Sequence, residues 1–196
     1  MTRAFRYKRG EYTTFAFPGS DFTRARGVND LGVVTGNFFS ADGVEHGFVL
    51  DAHGIRQVDY PSSTTSDVWD VDDLGRYVGD YSDADGLVHG FLLRRGVFQT
   101  IDVPGAQSSA RGINLAGVIA GVFSDAADVL HAFIKVGDRY EKIDPPGATP
   151  TPPSAALPFF AAAQAYRIND WGAVVGDYFD PNSVAHVFVL TCADED

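Results

Sequence analysis

One six-residue stretch, GVNDLG at residues 27–32, decides the fold because it returns three more times along the chain. The copies are DVDDLG at 70–75, GINLAG at 112–117 and RINDWG at 167–172, at steps of 43, 42 and 55 residues. Each copy is followed by an apolar run that ends in glycine, at Gly36, Gly79, Gly121 and Gly176. The chain is therefore built from four repeats.

Two further markers keep the same spacing. A His-x-Phe unit occurs at 46–48, 89–91, 131–133 and 186–188, and a proline turn occurs at Pro18, Pro61, Pro104 and Pro146. In the second repeat the pattern predicts strands at 68–72, 76–81, 88–93 and 97–103, joined first by a connector whose Asx side chain can bond backbone amides. A four-stranded unit of about 40–45 residues has the size of a propeller blade.

The sequence thus predicts an all-β fold, a small β-propeller of four blades with four antiparallel strands each. The fourth repeat supplies only three strands, at 166–169, 173–178 and 186–191, and the segment 11–17 can supply the fourth. We expect one domain over residues 1–196, closed by pairing of its N- and C-terminal strands. Its repeats run at about 20–62, 63–105, 106–147 and 163–191, with 11–19 as the closing segment.

The segment Arg3-Ala4-Phe5 lies one period before His46-Gly47-Phe48 and has the position of a spare third strand. The sequence leaves open whether it forms a fifth, partial blade or crosses to a second molecule.

Charge and composition exclude several classes of function. Fifteen Lys and Arg against 26 Asp and Glu give a net charge of −11, so neither nucleic acid nor an anionic membrane is an expected partner. A single cysteine, Cys192, excludes a disulfide framework and a cysteine-based zinc site. The sequence has no secretory signal, which predicts a cytoplasmic protein, or an extracellular one if a signal has been removed.

The segment His131-Ala132-Phe133, together with the Gly-Ile-Asn-x-x-Gly stretch at 112–117 and the Ile-Asp-x-Pro-Gly stretches at 101–105 and 143–147, resembles the HAF family of bacterial repeats. The resemblance covers residues 3–190. It implies a propeller-like arrangement in proteins described as extracellular, and it brings no agreed catalytic residues.

Positions that vary within the constant frame are the candidates for ligand binding. Just before each turn stand first Arg24, Asp67, Ser109 and Gln164, and then Arg26, Trp69, Arg111 and Tyr166. If this strand is innermost, these side chains crowd one end of a central channel and form a polar-aromatic pocket for a small molecule or a sugar. The competing hypothesis is that the arginines pair with surplus carboxylates and fill the channel.

An insertion breaks the period between Pro146 and Tyr166, where the third repeat gains 13 residues. Its apolar side chains include Phe159 and Phe160, which are costly to leave in water. We expect them to cover the channel mouth as a lid over the ligand or to form a homodimer contact. A protein-interaction scaffold with these phenylalanines as its contact is one alternative function.

A second alternative is a cofactor-free acid–base enzyme, namely a hydrolase, lyase or isomerase, at the same pocket. Its candidate catalytic residues are Asp67, Asp80, Asp177 and His89. A hydrogen bond to the third-strand histidine of the same blade would explain Asp80 and Asp177 equally well. The repeated histidines are expected to bond an aspartate or backbone within their own blade, and the sequence predicts no metal site and no cofactor.

Overall fold

The structure is a computed structural model that describes residues 2–150 and 160–191. Every regular element in these ranges is a β-strand, and none of the described residues forms a helix that could cross a membrane. The chain divides into two units, Met1–Gln99 and Thr100–Asp196.

Unit 1 contains a hairpin and two four-stranded antiparallel blades, and the last strand of the second blade ends two residues beyond the boundary at Gln99. The hairpin consists of β1 (Ala4–Lys8) and β2 (Glu11–Phe15). The first blade contains β3 (Phe22–Val28), β4 (Val34–Phe39), β5 (Glu45–Asp51) and β6 (Gly54–Gln57). The second blade contains β7 (Thr65–Val71), β8 (Arg76–Ser82), β9 (Val88–Arg94) and β10 (Val97–Ile101).

Unit 2 contains the third and fourth blades. The third blade contains β11 (Ser108–Ile113), β12 (Ile119–Ser124), β13 (Val129–Val136) and β14 (Arg139–Lys142), and β15 (Phe160–Ala161) pairs in parallel with β13. The fourth blade contains β16 (Ala163–Ile168), β17 (Val174–Phe179) and β18 (Ala185–Leu190). The predicted fold class, an all-β propeller type with four antiparallel blades, is confirmed.

The N-terminal segment differs from the prediction in its pairing partner. Among the described strands, β2 pairs with β1, from Ala4↔Phe15 to Lys8↔Glu11, and the sheet of β16–β18 holds three strands. The turn between β1 and β2 consists of Arg9 and Gly10, both at positive φ, which is the geometry that suits a two-residue hairpin. A hairpin between adjacent segments closes the shortest loop and therefore has the lowest entropic cost.

The repeated glycine packs against the phenylalanine of the repeated His-x-Phe unit. A Cβ on Gly79 would lie 2.0 Å from the carbonyl oxygen of Asp67 and 2.6 Å from the ring of Phe91. Gly36 is in the same situation between the Arg24 carbonyl and Phe48. The phenylalanine is fully buried over the glycine in the first three blades and partly buried in the fourth, so each second strand requires a residue without a side chain at this point.

The Asx connectors join neighbouring blades within each unit. Asn29 Oδ1 accepts the Val33 amide at 2.9 Å inside its own turn, and its Nδ2 donates to the Asp72 carbonyl at 3.0 Å. Asn114 makes the same two bonds, to the Val118 amide and the Asn169 carbonyl. The predicted role of the Asx side chain in the turn is confirmed, and its second bond fixes the next blade.

Candidate functional site

The four variable positions Arg26, Trp69, Arg111 and Tyr166 are all β-bulge residues. In the first blade Ala25 pairs with Gly36 and Gly27 pairs with Thr35, so Arg26 has no cross-strand partner in the ladder. The registers of β7, β11 and β16 shift in the same way at Trp69, Arg111 and Tyr166. A bulge turns its side chain away from the regular alternation, and this places all four side chains in partly exposed positions.

In unit 1 the bulges build a cluster of Arg26, Asp67, Trp69 and Asp80, which we call the unit 1 cluster. Arg26 Nη2 donates to Asp67 Oδ2 at 2.7 Å, and the guanidinium carbon lies 3.7 Å from the centre of the Trp69 ring. Trp69 Nε1 donates to Asp80 Oδ2 at 2.8 Å. The arginine is thus held by an ion pair on one side and by a cation–π contact on its face.

Asp67 is the most perturbed ionisable group of this cluster. It is 3% exposed, and burial raises its pKa to about 7, with Arg26 acting in the opposite direction. Asp80 and Glu45 raise the pKa further through like-charge repulsion. Among the described residues, Asp67 Oδ1 has no hydrogen-bond partner. This carboxyl group can therefore gain or lose a proton near neutral pH.

A groove lies beside the unit 1 cluster, between β1 and β3. The two strands are joined at one end by the parallel bridge between Thr2 and Phe22. One cavity of about 260 Å³ is lined by Arg26, by Phe5 and Tyr7 of β1, and by neighbouring residues. A second cavity, of about 320 Å³, is lined by Arg24 and shares Phe5 and Ala25 with the first. These volumes are close to the lower end of the range for ligand pockets, ~300 Å³.

In unit 2 the same positions build a second cluster of Arg111, Gln164, Tyr166 and Asp177, the unit 2 cluster. Arg111 Nη1 donates to Gln164 Oε1 at 2.9 Å, and its guanidinium carbon lies 5.5 Å from the centre of the Tyr166 ring. The Tyr166 hydroxyl donates to Asp177 Oδ2 at 3.1 Å. Burial, followed by the Asp177 charge, raises the pKa of Tyr166 to about 12, and burial also raises the pKa of Asp177.

Of the eight variable residues predicted to line one pocket, four belong to unit 1 and four to unit 2, and a single pocket formed by all of them stays a prediction. Arg24 is exposed, with its guanidinium 5.1 Å from the ring centre of Phe22, and it lines the groove. Phe159 lies outside the described residues, and so does the side chain of Phe160. Their predicted role as a lid or dimer contact stays a prediction.

Hydrogen bonds within the blades connect Asp80 and Asp177 with the aromatic bulge residues. Asp177 bonds Tyr166, while His186, the third-strand histidine of that blade, bonds Asp180. The structure thus corrects the suggested bond between Asp177 and the histidine. Gln164 and Tyr166 lie on β16, the first strand of the fourth blade, and the sequence did not predict the bulge in this strand.

The third-strand histidines are held by aspartates of their own blades, as predicted. His131 Nδ1 lies 2.5 Å from Asp144 Oδ2, and its Nε2 lies 3.2 Å from Asp125 Oδ2. The candidate catalytic residue His89 contacts Asp83 at 3.2 Å. Asp144 and its counterpart Asp59, which bonds His46, were missed, although an aspartate two residues before three of the four turn prolines, Pro61, Pro104 and Pro146, was a visible signal. No group of three or more His, Cys, Asp or Glu within the described ranges could hold a metal ion.

Comparisons with known proteins give weak likenesses only. No protein-family model and no curated protein matches the chain. Among solved structures, a mutant of the Aleuria aurantia lectin in complex with Fucα1-6GlcNAc is 11% identical with a TM-score of 0.44, covering 96% of this chain and 84% of that one. A mutant of AofleA from Arthrobotrys oligospora is also 11% identical, with a TM-score of 0.44, covering 98% of this chain and 73% of that one. The function proposed below is argued from the residues of this chain alone.

Proposed function

We propose that the protein binds a small polar ligand, a carbohydrate, in the groove beside the unit 1 cluster. The observation that carries the proposal is the position of Arg26, which lines the groove while its guanidinium group is fixed by Asp67 and Trp69. A preorganised arginine loses little side-chain entropy when it binds a ligand.

The groove also has the mixed lining that sugars require. Phe5 and Tyr7 are 61% and 58% exposed, so their rings offer apolar faces to the C–H surface of a sugar. Arg24 and Arg26 supply guanidinium donors for hydroxyl, ring or carboxylate oxygens. Aromatic and apolar side chains combined with placed polar donors are typical of small-molecule sites.

A glycan array followed by titration of the strongest ligand tests this function. We expect Arg26→Ala to weaken binding at least about tenfold, because it removes a charged donor from the groove. Arg111→Ala is the matched control, since it removes the equivalent arginine from the unit 2 cluster and leaves the groove intact. An array without a ligand, or affinity that Arg26→Ala leaves unchanged, would contradict the proposal.

One observation favours a second candidate, cofactor-free acid–base catalysis. The pKa of Asp67 is raised to about 7, where a carboxyl group can act as an acid or a base at neutral pH. If Asp67 is catalytic, incubation with the bound saccharide yields a new product by mass spectrometry, and Asp67→Asn abolishes it. Equal turnover by both proteins would eliminate this candidate.

A further inference from the structure

The lining of the groove is strongly cationic in a protein of net charge −11. The two cavities together are lined by Arg3, Arg6, Arg24 and Arg26, and no Asp or Glu is among their lining residues. Arg3, Arg6 and Arg24 are exposed, and Arg26 is partly exposed. Carboxyl groups beside the groove belong to Asp67, which is buried beneath Arg26, to Asp70, whose Oδ1 would lie 2.7 Å from a Cβ on Gly27, and to Glu45, whose pKa is raised mainly by burial.

Arginines and aromatic rings both occur along the groove, and along β1 itself Arg6 lies on the opposite face from Phe5 and Tyr7, whose rings both contact Tyr12. Arg3 and Arg24 line the first cavity with Phe22, Arg6 and Arg26 line the second with Tyr7, and Phe5 belongs to both. Residues 2–7 of the β1 side extend over about 17–20 Å at the rise of a β-strand. A groove of this length accommodates several linked rings rather than a single one.

We propose that the groove binds a short acidic oligosaccharide whose carboxylates pair with Arg24 while its rings lie on Phe5 and Tyr7. This inference rests on the proposed function and names its ligand class. Guanidinium groups bind carboxylates through paired hydrogen bonds, and neutral sugars cannot use that interaction fully. A short ligand is favoured because the negative net charge repels a long polyanion.

The test compares ligands that differ only in charge. A tetramer of glucuronate and the corresponding tetramer of glucose are titrated separately into the full chain by calorimetry. We expect the acidic tetramer to bind at least about tenfold more tightly at low salt, with the difference shrinking as salt screens the exposed pairs. Sulfate at matched ionic strength should not displace it, because sulfate cannot contact the aromatic rings.

One substitution identifies the residue responsible. Arg24→Gln is expected to weaken binding of the acidic tetramer about threefold and binding of the glucose tetramer by a smaller factor, because a neutral sugar loses a hydrogen-bond donor but no ion pair. The Arg24 side chain is exposed, so the variant should fold, and a circular dichroism melt checks this. Arg94→Gln, an exposed arginine that does not line the groove, is the control of equal charge change.

The outcomes separate the two proposals. If both tetramers bind equally well, or if Arg94→Gln has the same effect as Arg24→Gln, the acidic class is wrong and carbohydrate binding stands. If sulfate displaces the ligand fully, the groove is a general anion site and the saccharide class is overturned. If neither tetramer nor any glycan on the array binds, the proposed function fails as well.

Discussion

Asp67 shows how one side chain of this protein combines structure with chemistry. The carboxyl group anchors Arg26 across 41 positions of sequence and is buried, so its pKa is raised to about 7. The equivalent residue in unit 2 is Gln164, which anchors Arg111 without a charge. The arginine contact in unit 2 is therefore made by a residue that has no ionisable side chain.

The raised pKa of Asp67 predicts a specific pH dependence of stability. Between its ordinary value of 3.8 and about 7, the folded protein keeps a proton that the unfolded chain has lost. The contribution of Asp67 to the free energy of unfolding is therefore fully present below pH 4 and is lost as the pH rises to about 7, by at most about 4 kcal/mol. The charged groups that face it are Arg26, Asp80 and Glu45.

Urea unfolding at pH 4.5, 6 and 8 measures this effect. Asp67→Asn should show a smaller loss of stability between these pH values than the wild-type protein. The exposed residue Asp138 provides the control, and Asp138→Asn should follow the wild-type curve. Parallel curves for Asp67→Asn and wild type would show that the carboxyl group is not protonated in the folded state.

Gly79 provides a second prediction at the residue scale. Gly79→Ala would place a Cβ 2.0 Å from the Asp67 carbonyl oxygen and 2.6 Å from the buried Phe91 ring, which leaves little room to adjust. We expect a loss of about 3 kcal/mol in the free energy of unfolding by urea. Gly86→Ala, in a turn at φ +80° with open space around it, should lose only about 1 kcal/mol. Equal losses would show that the close contact with Phe91 is not a constraint.

At the scale of elements, the bulges and the Asx connectors distinguish this chain from a regular set of sheets. Each bulge moves one variable residue out of the ladder, and the connectors of the first and third blades, at Asn29 and Asn114, bond the next blade in their units. The bulges position the cluster residues, and the connectors fix the distance between the strands that carry them.

The second bond of the connector can be measured with a matched pair. Asn114→Ala removes the bonds to the Val118 amide and to the Asn169 carbonyl, whereas Asn169→Ala removes only bonds within its own turn, to the amides of Trp171 and Ala173. Thermal and urea unfolding should show a larger loss for Asn114→Ala, by about 1–2 kcal/mol, because the partly buried bond between two blades is lost. Similar losses would mean that the bond between blades contributes nothing.

The sequence could predict the elements better than their details. The glycine, His-x-Phe and Asx markers predicted the four sheets, because each marker corresponds to a local contact that every blade repeats. The bulges could not be predicted, since Ala25, Arg26 and Gly27 have no pattern that reveals where the register shifts. The pairing of β2 with β1 was missed because β1 and β18 occupy equivalent positions in the repeat, and alternation alone does not choose between them.

For the candidate site, too, the sequence predicted which positions are involved but not their detailed contacts. The sequence identified Arg26, Trp69, Arg111 and Tyr166 as variable positions within a constant frame, and the structure shows that all four belong to clusters. It could not predict that Asp67 is buried under Arg26, because the burial depends on contacts between different blades. The contribution of Phe5 and Tyr7 was also missed, since it depends on where β1 lies against β3.

At the scale of the whole molecule, the residue at the bulge position alternates between arginine and an aromatic residue from one repeat to the next. The first and third blades supply an arginine followed by glycine, at 26–27 and 111–112, and the second and fourth supply the aromatic residue against which it lies. The glycine permits the close approach, because a Cβ on Gly27 would lie 2.8 Å from the Trp69 carbonyl oxygen. The arginine–aromatic pair is therefore a property of two blades, and each unit contains one.

The central claim, that ligand is bound beside the Arg26–Trp69 contact, is tested most directly by the indole N–H signals in a ¹H–¹⁵N NMR titration. The chain has two tryptophans: Trp69, whose Nε1 donates to Asp80, and Trp171, which is 87% exposed in a turn of unit 2. With the saccharide that the array identifies, we predict that the Trp69 signal shifts to saturation and that the Trp171 signal does not move. A saturating shift of Trp171 alone, or binding that moves neither signal, would contradict the account.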